Sequence, residues 1–560
     1  MAGGAAAEEG ATYSSGLAFV YVFNLVVGFG ALTLPSVFYG AGYALASVFM
    51  GVLGSVSFAT ATFVVEAMAA ANAVDFLRID KRHEDHKYEL VETAAAAAPT
   101  TASASGTSRG ERPKRRGRAL SYDISSSAEA AGQEASSGEA KGTARVPLDE
   151  EEYTRRLEDT PFELRRKFEL GDMAKLLLGE TAYKVLVAVT AVYLYGDLAI
   201  YASATPTTLI SLFPGKRDSF EIPGLGLTIE VNREYAYNAW LGLFAMVVVP
   251  LSCLNFQKTK HLQIFTCTYR NVALVSMIML AAIRYERHVS SGRGAVDGDE
   301  PDVDLPSFRP EALPKLFGAA TYSFMCHHSL PSIIFPIESV ARRGVMKILA
   351  LDYVAILVTY MVLCATAFLA FASYQEFICK ETPDTYTCAI QKIYILNFSS
   401  GTNPFFGDFL TLLPVFVCFT NFPLIAITTR NNLTPWFDFV RVRVFGGGGE
   451  TSAISSEKRR LVYSLLVSVP PVIVAFCIHD VSLIVEFTGS YAGLALEFLF
   501  PCWLVVAARN RVDALDPKVK DANPFKSPFQ SKWAVWIVLL WSFLSLSFII
   551  FQQMFGDDAA

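Results

Sequence analysis

Asp197 stands in VYLYGDLAIYA, an apolar stretch, with Tyr193 and Tyr201 four residues to either side. Spacing by four puts the three side chains on one helix face. A carboxyl group at membrane depth is costly, so it marks an ion path, a proton relay or a buried structural pair. Glu486 and Glu497 share a second apolar stretch, three α-turns apart, and both are expected to look into a helix bundle rather than at lipid. Cys326-His327-His328 is a third group. Side chains of adjacent residues diverge, and no further Cys/His grouping supports a metal, so none is expected. A histidine there either exchanges protons near neutral pH or holds the backbone by hydrogen bonds. Glu66, Glu338, Asp352, His479 and Asp480 fall near the ends of apolar runs, where interfacial or capping roles are expected.

Backbone can also bind a ligand. Leu17–Gly40 reads LAFVYVFNLVVGFGALTLPSVFYG, apolar enough to cross a bilayer but interrupted at Gly28-Phe29-Gly30 and Pro35. Leu313–Ile337 reads LPKLFGAATYSFMCHHSLPSIIFPI and is interrupted at Ser323–His328, with Pro331 and Pro336 following. A membrane helix bonds its own backbone groups, so a break at mid-depth is tolerated only beside protein or a water-filled cavity. Paired broken helices in corresponding halves of a chain point to a carrier's binding site. The N–H end of a half-helix suits a carboxylate. The carbonyl end suits an ammonium group or a coupling cation. Glycine lets a ligand approach the backbone closely, although the same glycines could serve helix packing alone. The candidate substrate-binding set is Asn24, Gly28, Phe29, Gly30, Ser323, Phe324, Cys326 and His327. The candidates for ion coupling are Asp197, Thr420 and Glu486.

The elements that must hold these residues follow from hydropathy. The 560-residue chain is 52% hydrophobic and 18% charged, against about 25% charged in soluble proteins. Apolar runs of spanning length fall near residues 17–40, 43–70, 181–212, 236–254, 262–283, 314–337, 348–373, 406–428, 461–478, 482–507 and 533–555. These eleven spans predict an all-α integral membrane protein. Breaks in spans one and six predict two five-helix repeats of inverted topology and one extra helix. Residues 1–16 are then a cytosolic N-terminus and 17–74 the first two spans. Residues 75–179 form an insertion, 180–507 spans three to ten, 508–532 a loop and 533–555 the last span. Within the insertion, Thr93–Ala144 is rich in Ala, Ser, Gly and Glu and too poor in apolar residues to fold. Its basic cluster Lys114–Arg118, beside Ser121, reads as a solvated charge run or a phosphosite. Asp149–Gly179 has the periodicity of an amphipathic surface helix.

Loops expected on the cytosolic side carry the excess of basic residues, among them Arg342, Arg343, Lys347, Arg441, Arg443, Lys458, Arg459, Arg460, Arg509 and Arg511. The bias puts the N-terminus inside and, after eleven spans, the C-terminus outside. The N-terminus has no basic n-region of a secretory signal, so the first span is expected to target the chain. Asn397-Phe398-Ser399 is an outward glycosylation sequon in the loop that also carries Cys379 and Cys388, a possible disulfide. Asn432-Leu433-Thr434 is expected inside and unmodified. The net charge of −6 is spread over loops and gives no reason to expect a nucleic-acid partner. No G-x-x-x-x-G-K-[ST] loop is present, which argues against an ATP-driven pump. No arrangement suggests an enzyme or a cofactor.

At YVFNLVVGFGALTLP and YSFMCHHSLPSIIFPIE the sequence resembles the amino acid/auxin permease group of the amino acid–polyamine–organocation superfamily. FVVEAMAAANA, YLYGDLAIYA, TNFPLIAITTRNN, VPPVIVAFCIHD and TGSYAG resemble one branch of it, the transmembrane protein 104 family. The resemblance covers nearly all of the apolar core. It implies a LeuT-like 5+5 inverted-repeat fold and an amino-acid carrier, with substrate cradled at Gly28–Gly30 and Ser323–His327. Sodium-coupled relatives carry a hydroxyl residue a turn or two before a Phe-Pro pair in the eighth helix. Here Val415, Phe416 and Val417 precede Phe422-Pro423, with only Thr420 nearby, so protons rather than sodium are the implied coupling ion. The expected partners are an amino acid, that ion and the bilayer. A non-transporting amino-acid sensor or scaffold, signalling through the insertion, is the alternative on the same fold. The sequence leaves both plasma membrane and endolysosomal or vacuolar membrane open.

Overall fold

A chain of uncharged apolar runs must satisfy its own backbone groups in lipid, and a helix does so within each segment. The computed structural model describes residues 12–96, 161–212, 220–222, 227–229, 233–253, 260–290, 306–338, 342–372, 380–382, 385–387, 390–398, 404–445, 456–515 and 523–555. The first span is split into α1 (Ser15–Val26) and α2 (Leu34–Ala41), joined through a 3-10 turn at Phe29–Leu32. α3 (Tyr43–Ala96) follows. Then come α4 (Leu170–Leu177), α5 (Glu180–Ser211), α6 (Arg233–Cys253) and α7 (Lys260–Ser290). The sixth span is split into α8 (Leu313–Phe324) and α9 (Leu330–Ile334). α10 (Val345–Ala367), α11 (Pro404–Phe445) and α12 (Ser456–Cys477) follow. α13 (Val481–Phe487), π-helical turns at Thr488–Gly493 and Ala495–Leu499, and α14 (Phe500–Leu515) make one rod before α15 (Lys532–Phe555).

Nine helices among the described residues are long and apolar enough to cross a membrane. The two split spans add to these in the places expected from their glycines and prolines. Pro35, Pro314 and Pro331 each sit at the start of a helix, where a missing N–H costs nothing. The sixth-span break falls at Met325–Ser329, slightly beyond the Ser323–His328 interval read from sequence, because the α8 pattern continues through Phe324. The all-α expectation needs a small amendment. Two antiparallel ribbons stand in loops, β1 (Phe220–Ile222) with β2 (Leu227–Ile229), and β3 (Lys380–Thr382) with β4 (Thr385–Thr387).

The chain forms two units, residues 1–76 with 161–560, and residues 77–160. Of the second, residues 77–96 are described, as the end of α3. Thr93–Ala144, apart from its first four residues, and the Lys114–Arg118 cluster with Ser121 lie outside the described residues. The helix expected over Asp149–Gly179 is present only as α4 within the described part. Phe162, Leu164, Phe168 and Leu170 are buried instead from a largely extended stretch. Their alternation has period two, which buries one face of an extended chain. Asn72 of α3 fixes that stretch by accepting the backbone N–H groups of Arg165 and Arg166 at 3.1 and 2.9 Å.

α5 is central, packed by α4, α6, α11, α12 and the first π turn. The rod of span ten approaches α8 so closely that a Cβ on Gly489 would stand 1.9 Å from the Gly318 carbonyl oxygen. At the other extreme, only 22% of the apolar window of α15 is buried. Trp533, Trp536, Phe543 and Phe551 lie exposed on it. Such a face is unfavourable in water and favourable in lipid.

Candidate functional site

The two helix breaks meet. α1 ends at Val26, the Gly28 N–H donates to the Val26 carbonyl at 2.7 Å, and the chain re-enters a helical turn at Phe29. A Cβ on Gly30 would lie 2.4 Å from Ser323 Oγ and 2.8 Å from Ser323 Cα. Backbone of the first break therefore lies directly against the end of α8. Gly28 is different: a Cβ there would meet nothing closer than its own chain's carbonyls at 3.8 Å. Gly28 lines a cavity of ≈ 20 Å³ with Val27, Phe29, Arg270, Leu274 and Val417. That is room for about one water molecule, so a larger solute enters only if the helices part.

The orphan carbonyls of the half-helices have dedicated donors. Tyr360 of α10 places its hydroxyl 3.0 Å from the Val26 carbonyl and 3.0 Å from the Ser323 carbonyl. Its single hydrogen serves one of them at a time, so it bridges the carbonyl ends of α1 and α8. Arg270 of α7 donates to the Asn24 carbonyl at 2.5 Å and to Asn24 Oδ1 at 3.3 Å. Asn271 donates to the same Oδ1 at 2.8 Å. No acidic side chain pairs with Arg270 among the described residues, and its Nε is buried without a partner. A fixed positive charge thus stands at the carbonyl end of α1, where the helix dipole is negative.

The Tyr193–Asp197–Tyr201 face of α5 runs past both breaks. Tyr322, near the end of α8, donates its hydroxyl to Asp197 Oδ1, and Asp197 is buried. The Tyr193 ring packs on Tyr322 at 6.2 Å and on His328 at 5.4 Å. Tyr201 meets Phe29 edge to face at 6.3 Å. One helix face therefore touches the first break at Phe29 and the sixth at Tyr322 and His328.

Several residues expected together are separated. Asn24, Gly28, Phe29, Gly30 and Ser323 gather at the junction. Phe324 turns into the core against Tyr353 and Tyr360. Cys326 Sγ faces the Tyr353 hydroxyl at 3.2 Å. His327 Nε2 lies 2.9 Å from Thr60 Oγ1 of α3. Cys326, His327 and His328 thus point at three different helices, which is incompatible with one shared ion. Thr420 bonds the Phe416 and Val417 carbonyls of its own helix, at 2.9 and 3.0 Å. Glu486 and Glu497 do not share a face, because π turns between them break the α-phase. Glu486 is within electrostatic reach of Lys315, Asp480 and Lys392, whereas Glu497 accepts from Ser57 of α3. Asn397 accepts the Gln391 N–H at 2.9 Å within its loop. Ser399 of that sequon, Cys379 and Cys388 lie outside the described residues. Arg270, Tyr322 and Tyr360 are not among the residues flagged from sequence. A lone arginine well inside the fifth apolar run is the signal for Arg270. The tyrosines carry none, since tyrosine is ordinary in such runs.

The family described as "Transmembrane amino acid transporter protein" matches residues 163–551. That stretch takes in α5 to α14 and most of α15. Full-length relatives extend the likeness over the first two spans. The chain is 35% identical to a transmembrane protein 104 homolog of Dictyostelium discoideum over 550 residues, 98% of each chain. It is 34% identical to transmembrane protein 104 of Homo sapiens over 552 residues, 97% of each. It is 31% identical to a transmembrane protein 104 homolog of Drosophila melanogaster over 561 residues, again 97% of each.

Proposed function

The chain belongs to the transmembrane protein 104 branch of the transmembrane amino acid transporter family, and from that premise we propose that this multi-pass membrane protein is a secondary carrier for an amino acid. It works by alternating access on an inverted-repeat scaffold whose first and sixth spans are the broken pair. The observation that carries the reading is the junction of the two breaks, Gly30 backbone on Ser323, beside a cavity lined by Gly28. Split helices are tolerated at depth where the exposed backbone serves a ligand or is buried in protein. Here the junction offers both signs of charge that a zwitterion needs. Arg270, with no acidic partner among the described residues, stands beside the Gly28–Gly30 backbone for the carboxylate. The Ser323 carbonyl at the end of α8, with Asp197 behind Tyr322, faces the ammonium group. Protons are the coupling ion in this reading. The carbonyl end that would hold a metal cation is already met by a guanidinium, and the Thr420 hydroxyl is bonded within its own helix.

Gly28→Leu tests the site. The Cβ itself meets backbone no closer than 3.8 Å, but the leucine side chain overfills a cavity of about one water. The variant is therefore expected to sort normally with a lowered melting temperature while uptake of labelled amino acids by the reconstituted protein falls to background. Wild-type uptake by that variant would place the substrate elsewhere.

A further inference from the structure

Glu497 is fully buried and stands on the π-helical turn Ala495–Leu499, which follows a first one at Thr488–Gly493. Such turns recur at functional positions because they swing a side chain out of α-phase and loosen backbone pairing. Oε1 of Glu497 accepts the hydroxyl of Ser57. Oε2 is buried with no partner. One turn further along α3, Thr60 Oγ1 lies 3.0 Å from the Ser57 carbonyl and 2.9 Å from His327 Nε2. His327 sits in the non-helical stretch between α8 and α9, and its Nδ1 also lacks a partner. A polar chain therefore leads from Glu497 through α3 to the sixth-span break.

The groups facing this carboxyl are neutral or acidic. Tyr193 of α5, Cys326 and Tyr353 are within its electrostatic reach. Asp352, neighbour to Cys326 and Tyr353, has both oxygens buried without a partner. Asp197 is bonded to Tyr322. Arg509, further along the same rod, is paired with Glu66 at 2.8 Å. No basic residue pairs with Glu497 among the described residues. An ionised carboxylate in such a place is expensive, so the buried group rests neutral, and it takes on charge only when its cation leaves. A metal cation asks for several converging oxygens, and one carboxyl with one serine hydroxyl does not supply them. A proton needs only the open oxygen.

We propose that Glu497 binds and releases the coupling proton, and that Ser57, Thr60 and His327 carry its charge state to the sixth-span break. The assignment rests on the carrier reading above. When the carrier opens to one side, water delivers a proton and an O–H bond forms at Oε2. After reorientation that bond breaks and the proton passes to water on the other side. One proton moves per cycle and no electrons are exchanged.

The test compares wild type with Glu497→Gln in liposomes, using a mixed panel of labelled amino acids. Two readouts are taken: accumulation driven by an inward proton gradient, and counterflow exchange at equal pH on both sides. Glu497→Gln is expected to keep counterflow, to lose its pH dependence, and to lose gradient-driven accumulation. Asp352→Asn is expected to stay coupled. Ser57→Ala keeps the carboxyl but removes a donor to its ionised form, and is expected to move the pH profile of counterflow to higher pH. This last variant decides the matter if Glu497→Gln fails to fold. Wild-type proton dependence in Glu497→Gln, or an unmoved profile in Ser57→Ala, overturns the assignment while leaving the carrier reading intact. Absence of counterflow in verified wild-type liposomes overturns the carrier reading, and this assignment with it.

Discussion

Two glycines of the first break invite opposite outcomes from the same substitution. Gly30→Ala forces a Cβ to within 2.4 Å of Ser323 Oγ and 2.8 Å of its Cα, so α1 or α8 must shift. Overpacking of this kind costs about 1–3 kcal/mol, and a lower melting temperature with impaired uptake is expected. Gly28→Ala places its Cβ in the cavity and should melt as wild type does. Equal melting temperatures for the two variants would contradict the junction. Glycines at a break were readable as residues, but not which of them touches α8. That distinction depends on a partner 293 positions away, which no local pattern encodes. The Tyr193–Asp197–Tyr201 face was readable for the opposite reason, since its spacing is a property of one helix. Cys326 and His327 read as site residues because they fall in the break. The direction of each side chain, toward α10 and α3, was set by packing.

Helices were legible wherever a local signal defined them. Glycine and proline marked both split spans, and apolar length marked the nine continuous ones. Two features escaped. The Phe162–Leu170 stretch mixes signals that fit period two as well as a helix, and Asn72 decides for the extended form. The π turns of span ten leave no compositional mark, so α-phase arithmetic put Glu486 and Glu497 on one face when they lie on two. At this scale Tyr360 is the testable element, because its hydroxyl reaches the carbonyl ends of both half-helices. Tyr360→Phe strips a donor from two buried carbonyls, and the loss of such a partner costs about 1–3 kcal/mol. The variant should melt earlier in detergent and exchange backbone amides around 24–30 and 320–326 faster than wild type. Unchanged exchange there would mean that the bridge does not hold the breaks together.

For the whole molecule, composition was enough to identify a membrane protein, because lipid requires long uncharged helices and little else produces them. The inverted repeat is a claim about topology and rests on the paired breaks. Nine continuous and two split spans predict termini on opposite faces. Tags at the two ends should therefore differ in accessibility in sealed, oriented vesicles, and tags reachable from one face would refute the count. From the residues alone, substrate and coupling were not legible: an amino acid and a proton came only from the family resemblance, and which amino acid did not come at all. In the proposed reading they depend on a junction that forms only when spans one, five, six and seven come together.

Uptake by purified protein in sealed liposomes, with a mixed panel of labelled amino acids and an imposed inward proton gradient, tests the central claim most directly. A proton-coupled carrier accumulates one or more of them above equilibrium and releases them when the gradient is collapsed. Verified insertion with no uptake, and no effect of the gradient, would contradict it.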